Sequence, residues 1–141
     1  MKCTLYALYV NVSAAALAQA FVAVPRNCYR LLVDASLHNI IIRNTTSSSV
    51  YQQEVQSYWS VTARLEHDCF VQPENTEQVS CIFKTLNDES RCQFAVRSGG
   101  NSSICGWNNI YNGVTINLSR LNFTLFDEGS NLLSGGPGVH W

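Results

Sequence analysis

Cys69-Phe70-Val71-Gln72-Pro73, followed by Asn75-Thr76-Glu77-Gln78-Val79-Ser80-Cys81-Ile82-Phe83-Lys84-Thr85-Leu86 and then Gln93-Phe94-Ala95-Val96-Arg97-Ser98-Gly99-Gly100, decides the architecture. Cys69-Phe70-Val71 is a short apolar run stopped at Gln72-Pro73, which reads as a buried strand ended by a breaker. Asn75 followed three residues later by Gln78 is a variant of the capping box and marks a helix start. Val79, Ile82, Phe83 and Leu86 then recur at i, i+3, i+4 and i+7, one apolar helical face that ends near Asn87-Asp88. Gln93 to Arg97 reads as a second strand and Ser98-Gly99-Gly100 as the tight turn after it. Strand, amphipathic helix, strand is a βαβ unit, for which a parallel crossover is the default.

Further short strands follow. Gly113-Val114-Thr115-Ile116-Asn117-Leu118 alternates as a third strand, and Phe123 to Phe126 reads as a fourth. Asp127 to Ser130 is then a turn, Asn131 to Ser134 a fifth strand, and Gly135 to Trp141 begins as a glycine turn. Upstream, Asn27 to Leu37 is a short helix, and Asn44 to Ser49 is a polar run whose side chains compete for backbone hydrogen bonds and favour a loop. Tyr51 to Arg64 has helix-compatible polarity and reads as a peripheral, aromatic-anchored segment.

The 141 residues suit a single compact unit, and a chain of this length buries roughly two-thirds of its unfolded surface. With 46% hydrophobic and 13% charged residues, disorder is excluded over most of the length. A net charge of −1 removes the electrostatic footprint of a nucleic-acid binder. No stretch after the N-terminal one approaches the ~20 apolar residues that span a bilayer, so no membrane partner is expected.

Residues 1–20 read as a secretory signal peptide: Lys2, an apolar stretch, and the small-x-small ending Ala18-Gln19-Ala20. The competing reading is a buried N-terminal helix. Cleavage after Ala20 leaves Cys28, Cys69, Cys81, Cys92 and Cys105, an odd number, so at least one is unpaired or bridges to another chain. There is no Cys-x-x-Cys, the three histidines are scattered, and His67-x-Cys69 alone does not make a metal site. Asn44, Asn101, Asn117 and Asn122 each open an Asn-x-Ser/Thr sequon, in keeping with a secreted glycoprotein.

Arg97-Ser98-Gly99-Gly100-Asn101-Ser102 after a strand has the chemistry of an anion cradle. Glycines admit positive φ and remove Cβ atoms, so successive N–H groups can converge on a phosphate. The strings Val71-Gln72-Pro73-Glu74, Gln78-Val79-Ser80, Phe94-Ala95-Val96-Arg97-Ser98-Gly99-Gly100, Asn108-Asn109-Ile110, Gly113 to Asn122 and Gly136-Pro137-Gly138 occur in that order. Together, with Tyr58-Trp59-Ser60 upstream, they resemble the N-terminal part of the FAD-linked oxidases of the vanillyl-alcohol-oxidase/PCMH class. The likeness is to the fungal berberine-bridge-like oxidoreductases in particular, and it runs from about Cys28 to Trp141.

The resemblance implies an α+β fold: a truncated PCMH-type FAD-binding domain at 65–141, behind a helical and loop segment at 21–64. It implies that Arg97, Ser98, Gly99, Gly100, Asn101 and Ser102 wrap the FAD pyrophosphate, with Pro137 and Gly138 lying along the cofactor. It also implies a disulfide between Cys28 and Cys69, with Cys81, Cys92 and Cys105 unassigned. A small-molecule substrate belongs to the full-length family.

Three departures qualify these implications. The family turn ends Gly-Gly-His, and its imidazole bonds covalently to the flavin; here the position is Asn101, whose amide nitrogen is a poor nucleophile, so FAD would bind non-covalently. The usual aspartate of the third strand is Asn117. The family's substrate cap and catalytic bases have no counterpart in these residues, there is no Gly-x-Ser-x-Gly elbow, and no catalytic residue is assigned. The expectation is therefore a secreted member of the family, truncated and inactive alone, with a partly completed sheet and unburied apolar surface. The alternative is a glycosylated, non-enzymatic remnant or binding module, because a glycan on Asn101 would fill the cofactor's space.

Overall fold

The computed structural model describes residues 27–45, 48–87 and 92–140; the expected leader at 1–20 lies outside them. Among the described residues three α-helices, α1 (Cys28–Asp34), α2 (Ser49–Gln56) and α3 (Thr76–Asn87), accompany six strands. These are β1 (Ile41–Arg43), β2 (Cys69–Val71), β3 (Phe94–Arg97), β4 (Val114–Asn117), β5 (Thr124–Asp127) and β6 (Leu132–Gly135). The mixed α+β character expected from the sequence is present.

Each helix start has a local cause. Asn27 accepts from the Arg30 N–H at 3.2 Å and Ser48 Oγ from the Tyr51 N–H at 3.1 Å. At α3 the Asn75 cap forms as read from the sequence, but Gln78 reaches back one residue further than in the reciprocal box, to Glu74. Asn75 Oδ1 accepts from the Gln78 N–H at 2.8 Å, and Gln78 Oε1 accepts from the Glu74 N–H at 2.7 Å. Ile82 and Leu86 are buried on its inner face, and Phe83 meets Phe94 edge-on at 5.4 Å.

The main sheet has the order β1-β2-β4-β3. β2, β4 and β3 are mutually parallel, so the βαβ direction is as expected, but β4 inserts between the two strands of that unit. All four residues of β4 are buried, whereas β3 is buried only at Arg97. The more deeply buried strand takes the centre, polar Thr115 and Asn117 included, where a neighbour on each side satisfies its backbone. β1, which the sequence reading left without a strand, pairs antiparallel to β2 from Ile41↔Val71 to Arg43↔Cys69. β5 and β6 form a separate two-stranded hairpin with every residue exposed, so Leu125, Phe126, Leu132 and Leu133 face outward.

The core has two parts. Leu32, Leu37, Ile40, Cys69, Val71, Ile82, Leu86, Val114 and Ile116 fill the side covered by α1 and α3. Tyr51, Tyr58, Ala63 and Phe70 fill the side under α2.

The disulfide departs from expectation. Cys28 pairs with Cys92, not Cys69, at a Cα–Cα distance of 5.8 Å, inside the narrow span a disulfide requires. Cys28 opens α1, which packs on α3, and Cys92 closes the connection from α3 into β3; the bridge thus ties together two ends on one layer. Cys69 stays a buried thiol at the start of β2.

Candidate cofactor site

Three parallel strands finish side by side, and their last residues are polar: Gln72 just past β2, Arg97 ending β3, and Asn117 ending β4. The carboxyl ends of parallel strands are where open α/β sheets bind ligands. Here one carboxylate, Glu54 of α2, gathers them. Glu54 Oε1 accepts from Gln72 Nε2 at 2.7 Å, and its Oε2 accepts from Asn117 Nδ2 at 2.9 Å and stands 3.7 Å from Arg97 Nη1. Gln72, Arg97 and Asn117 are all buried, so the pairing is what makes their burial affordable.

Arg97 is turned inward. Its guanidinium lies 3.9 Å above the centre of the Tyr58 ring and donates to the Glu54 and Ser57 carbonyls at 3.4 and 3.3 Å. Those carbonyls sit at the end of α2, where a cation complements the helix dipole. Burial pushes the Tyr58 hydroxyl up to about 12 despite the opposing pull of Arg97. Tyr58 also stacks on His67 with ring centres 5.9 Å apart. The His67 Nδ1 is 2.7 Å from the Thr115 hydroxyl.

The turn is wound around Arg97. Gly100 has φ of +70°, and a Cβ there would stand 2.7 Å from Arg97 Nε; glycine is required both for backbone angle and for space. Among the described residues no hydrogen bond engages the N–H groups of Gly99, Gly100, Asn101 or Ser102. Four successive donors without acceptors beyond a strand end suit an anion. The Ser102 hydroxyl is used locally, accepting from the Ile104 N–H at 3.1 Å.

The second expected segment comes to the same place. Ser98 Oγ donates to the Pro137 carbonyl, and the Gly138 N–H donates to the Leu121 carbonyl at 2.9 Å. A Cβ on Gly138 would collide with the Leu118 carbonyl oxygen. Of the turn Arg97, Ser98, Gly99, Gly100, Asn101 and Ser102, it is Ser98 that bonds directly to Pro137, while Gly138 packs on the segment after β4. Arg97 acts through its interior side chain and Gly100 is buried against it, while Ser98 and Asn101 are exposed.

No family model matches the chain. It is 42% identical over 94 residues to an FAD-dependent monooxygenase of Aspergillus calidoustus, covering 64% of this chain and 18% of that protein. A second FAD-dependent monooxygenase, from Emericella nidulans, is 38% identical over 95 residues, 67% of this chain and 20% of the relative. The chain is a homologue of fungal FAD-linked oxidoreductases. It spans about a fifth of the length of these curated relatives. Berberine bridge enzyme from Eschscholzia californica superposes with a TM-score of 0.65 at 17% identity, over 79% of this chain and 24% of that one. That likeness identifies the fold as the PCMH-type FAD-binding fold.

Within this homologue of FAD-linked oxidoreductases, sequence reasoning missed Glu54, the hub of the polar cluster. One signal was available: Glu54 is the only acidic residue between Asp34 and Glu66, and it lies on the helix read as peripheral. Asn117 also takes on a specific meaning. Its amide is buried, donates to Glu54 and accepts from the Ser119 N–H at 3.1 Å. An aspartate there would set two carboxylates against each other.

Proposed function

We propose that the chain binds FAD non-covalently and is the flavin-holding part of an oxidoreductase acting on a small-molecule substrate. The observation that carries this is the run of unengaged N–H groups from Gly99 to Ser102, beyond the end of β3 and wound around Arg97. Those amides hold the pyrophosphate, with Ser98, Pro137 and Gly138 closing the turn behind them. Bound FAD supplies two-electron redox chemistry at its isoalloxazine ring. Asn101 is exposed at the position of the family's attaching imidazole, and its amide leaves the flavin free to dissociate.

We further propose that the chain is secreted, with residues 1–20 as its leader. The Cys28–Cys92 bridge supports an oxidising compartment. Of the four sequons that follow residue 20, Asn44, Asn101 and Asn122 are exposed, while Asn117 is buried and hydrogen-bonded; a glycan on Asn101 excludes flavin.

Purified chain titrated with FAD is expected to turn yellow and to release all of its flavin on acid precipitation. Protein that stays colourless with excess FAD, and whose melting temperature does not rise with it, would show the site to be a remnant.

A further inference from the structure

The chain beyond β6 returns over the turn in a fixed direction. Gly136 and Gly138 donate to the Phe123 and Leu121 carbonyls at 2.8 and 2.9 Å, Val139 to the Gly136 carbonyl at 3.2 Å, and Ser98 to the Pro137 carbonyl. The next residue, His140, is thereby laid against Gly99. Its Nδ1 stands 3.6 Å from the point a Cβ on Gly99 would occupy, and Asn101 Nδ2 stands 3.2 Å from that same point. The imidazole and the amide border one α-carbon, that of Gly99, at the start of the run of unengaged N–H groups. His140 is exposed, and among the described residues nothing hydrogen-bonds to its ring.

A diphosphate brings two negative charges to this turn. Arg97, the guanidinium inside the turn, faces the interior, with Glu54 beside it and the Tyr58 ring beneath it. Asn101 is neutral. We propose that His140 completes the anion site, donating an imidazole N–H to a phosphate oxygen of a diphosphate ligand while the Gly99–Ser102 amides bind the other oxygens. A hydrogen bond to a charged acceptor is of the stronger kind. This rests on the FAD reading above and adds to it a side chain that the motif strings did not mark.

The test is calorimetric titration of the full chain with FAD and, separately, with inorganic pyrophosphate. His140→Ala is expected to weaken both ligands about tenfold, and His140→Gln, which keeps an N–H donor, about threefold. His38→Ala, at an exposed histidine in the 3-10 turn His38–Ile40, leaves both affinities unchanged. The ring resonances of His140 should shift on FAD addition in the unaltered chain, a readout that holds even if His140→Ala fails to fold. Affinities within twofold of the unaltered chain in both His140 variants, or unshifted ring resonances, overturn this inference and leave the FAD reading standing. An unaltered chain that binds neither ligand overturns both.

Discussion

Glu54 and Arg97 come from segments 43 residues apart and meet at 3.7 Å beneath the glycine turn. The pair is asymmetric in surroundings. Arg97 has a stacking ring and two carbonyls besides Glu54, whereas Gln72 and Asn117 depend on Glu54 for their side-chain N–H partners. The carboxylate is therefore the member whose loss orphans most groups.

Glu54→Ala is accordingly expected to destabilise the chain by about 2–4 kcal/mol, since removing the half-buried carboxylate leaves the buried Arg97, Gln72 and Asn117 without it. Glu54→Gln keeps one acceptor oxygen and should cost roughly half as much. Urea unfolding of the two variants checks the order; equal midpoints would remove Glu54 from its place as hub.

Asn117→Asp puts a second carboxylate on the Glu54 oxygen that Asn117 Nδ2 now reaches at 2.9 Å. Like charges this close raise one pKa in the native state. The native state then binds a proton the unfolded chain does not, so the variant regains stability as pH falls from 7 towards 4. About 1–3 kcal/mol should be lost at pH 7. Melting temperatures across that range test it, and a flat difference between variant and parent would contradict it.

Gly100→Ala meets two obstacles at once, a φ of +70° and the Arg97 Nε. Strain of this kind costs about 1–3 kcal/mol, and relief requires Arg97 to leave the Tyr58 ring. The Tyr58 hydroxyl is held down from a still higher value by Arg97, so its phenolate transition should move up in the variant. Ultraviolet titration of the tyrosines would detect that movement; an unchanged profile means the guanidinium stayed.

What could be read from the sequence divides along the range of the interactions. The α3 start was legible because Asn75 and Gln78 satisfy each other's segment within four residues, and the apolar face from Val79 to Leu86 repeats with the helix. β1 was not legible: Ile41–Arg43 is three residues long, and only its pairing with β2 makes it a strand. The insertion of β4 between β2 and β3 depends on which strand buries most, a property of the assembled sheet. The glycine turn that follows β3 was legible as a local string. Glu54 was not, because its partners arrive from β2, β3 and β4 only when the chain is folded. The disulfide failed for the same reason, since family position favoured Cys69 while helix packing brings Cys28 to Cys92.

That bridge closes a separation of 64 residues. On the chain-entropy account, removing it in Cys28→Ser costs about 4 kcal/mol. Native alkylation gives a second, independent reading. Exposed Cys105 should label quickly. Cys69 should not, because it is buried and burial pushes its thiol up to about 12. Rapid labelling of Cys69, or peptides linking it to Cys28, would reverse the assignment.

His67 gives the chain a pH dependence of its own. The ring is buried between Tyr58 and Phe70, with Nδ1 on the Thr115 hydroxyl. Burial first, and the Arg97 charge second, lower it to about 4 from the ordinary 6.5. The unfolded chain takes up a proton as the pH falls through 6.5, and the native chain does not until about 4. Stability contributed by the neutral ring is therefore full above 6.5 and drains away as the pH falls to about 4, by about 3 kcal/mol in all. His67→Gln should flatten this part of the melting-temperature profile, because an amide has no proton to gain in the window. A histidine resonance that titrates near 4 in the native chain and vanishes in His67→Gln is the direct check; a ring titrating near 6.5 would mean that water reaches it.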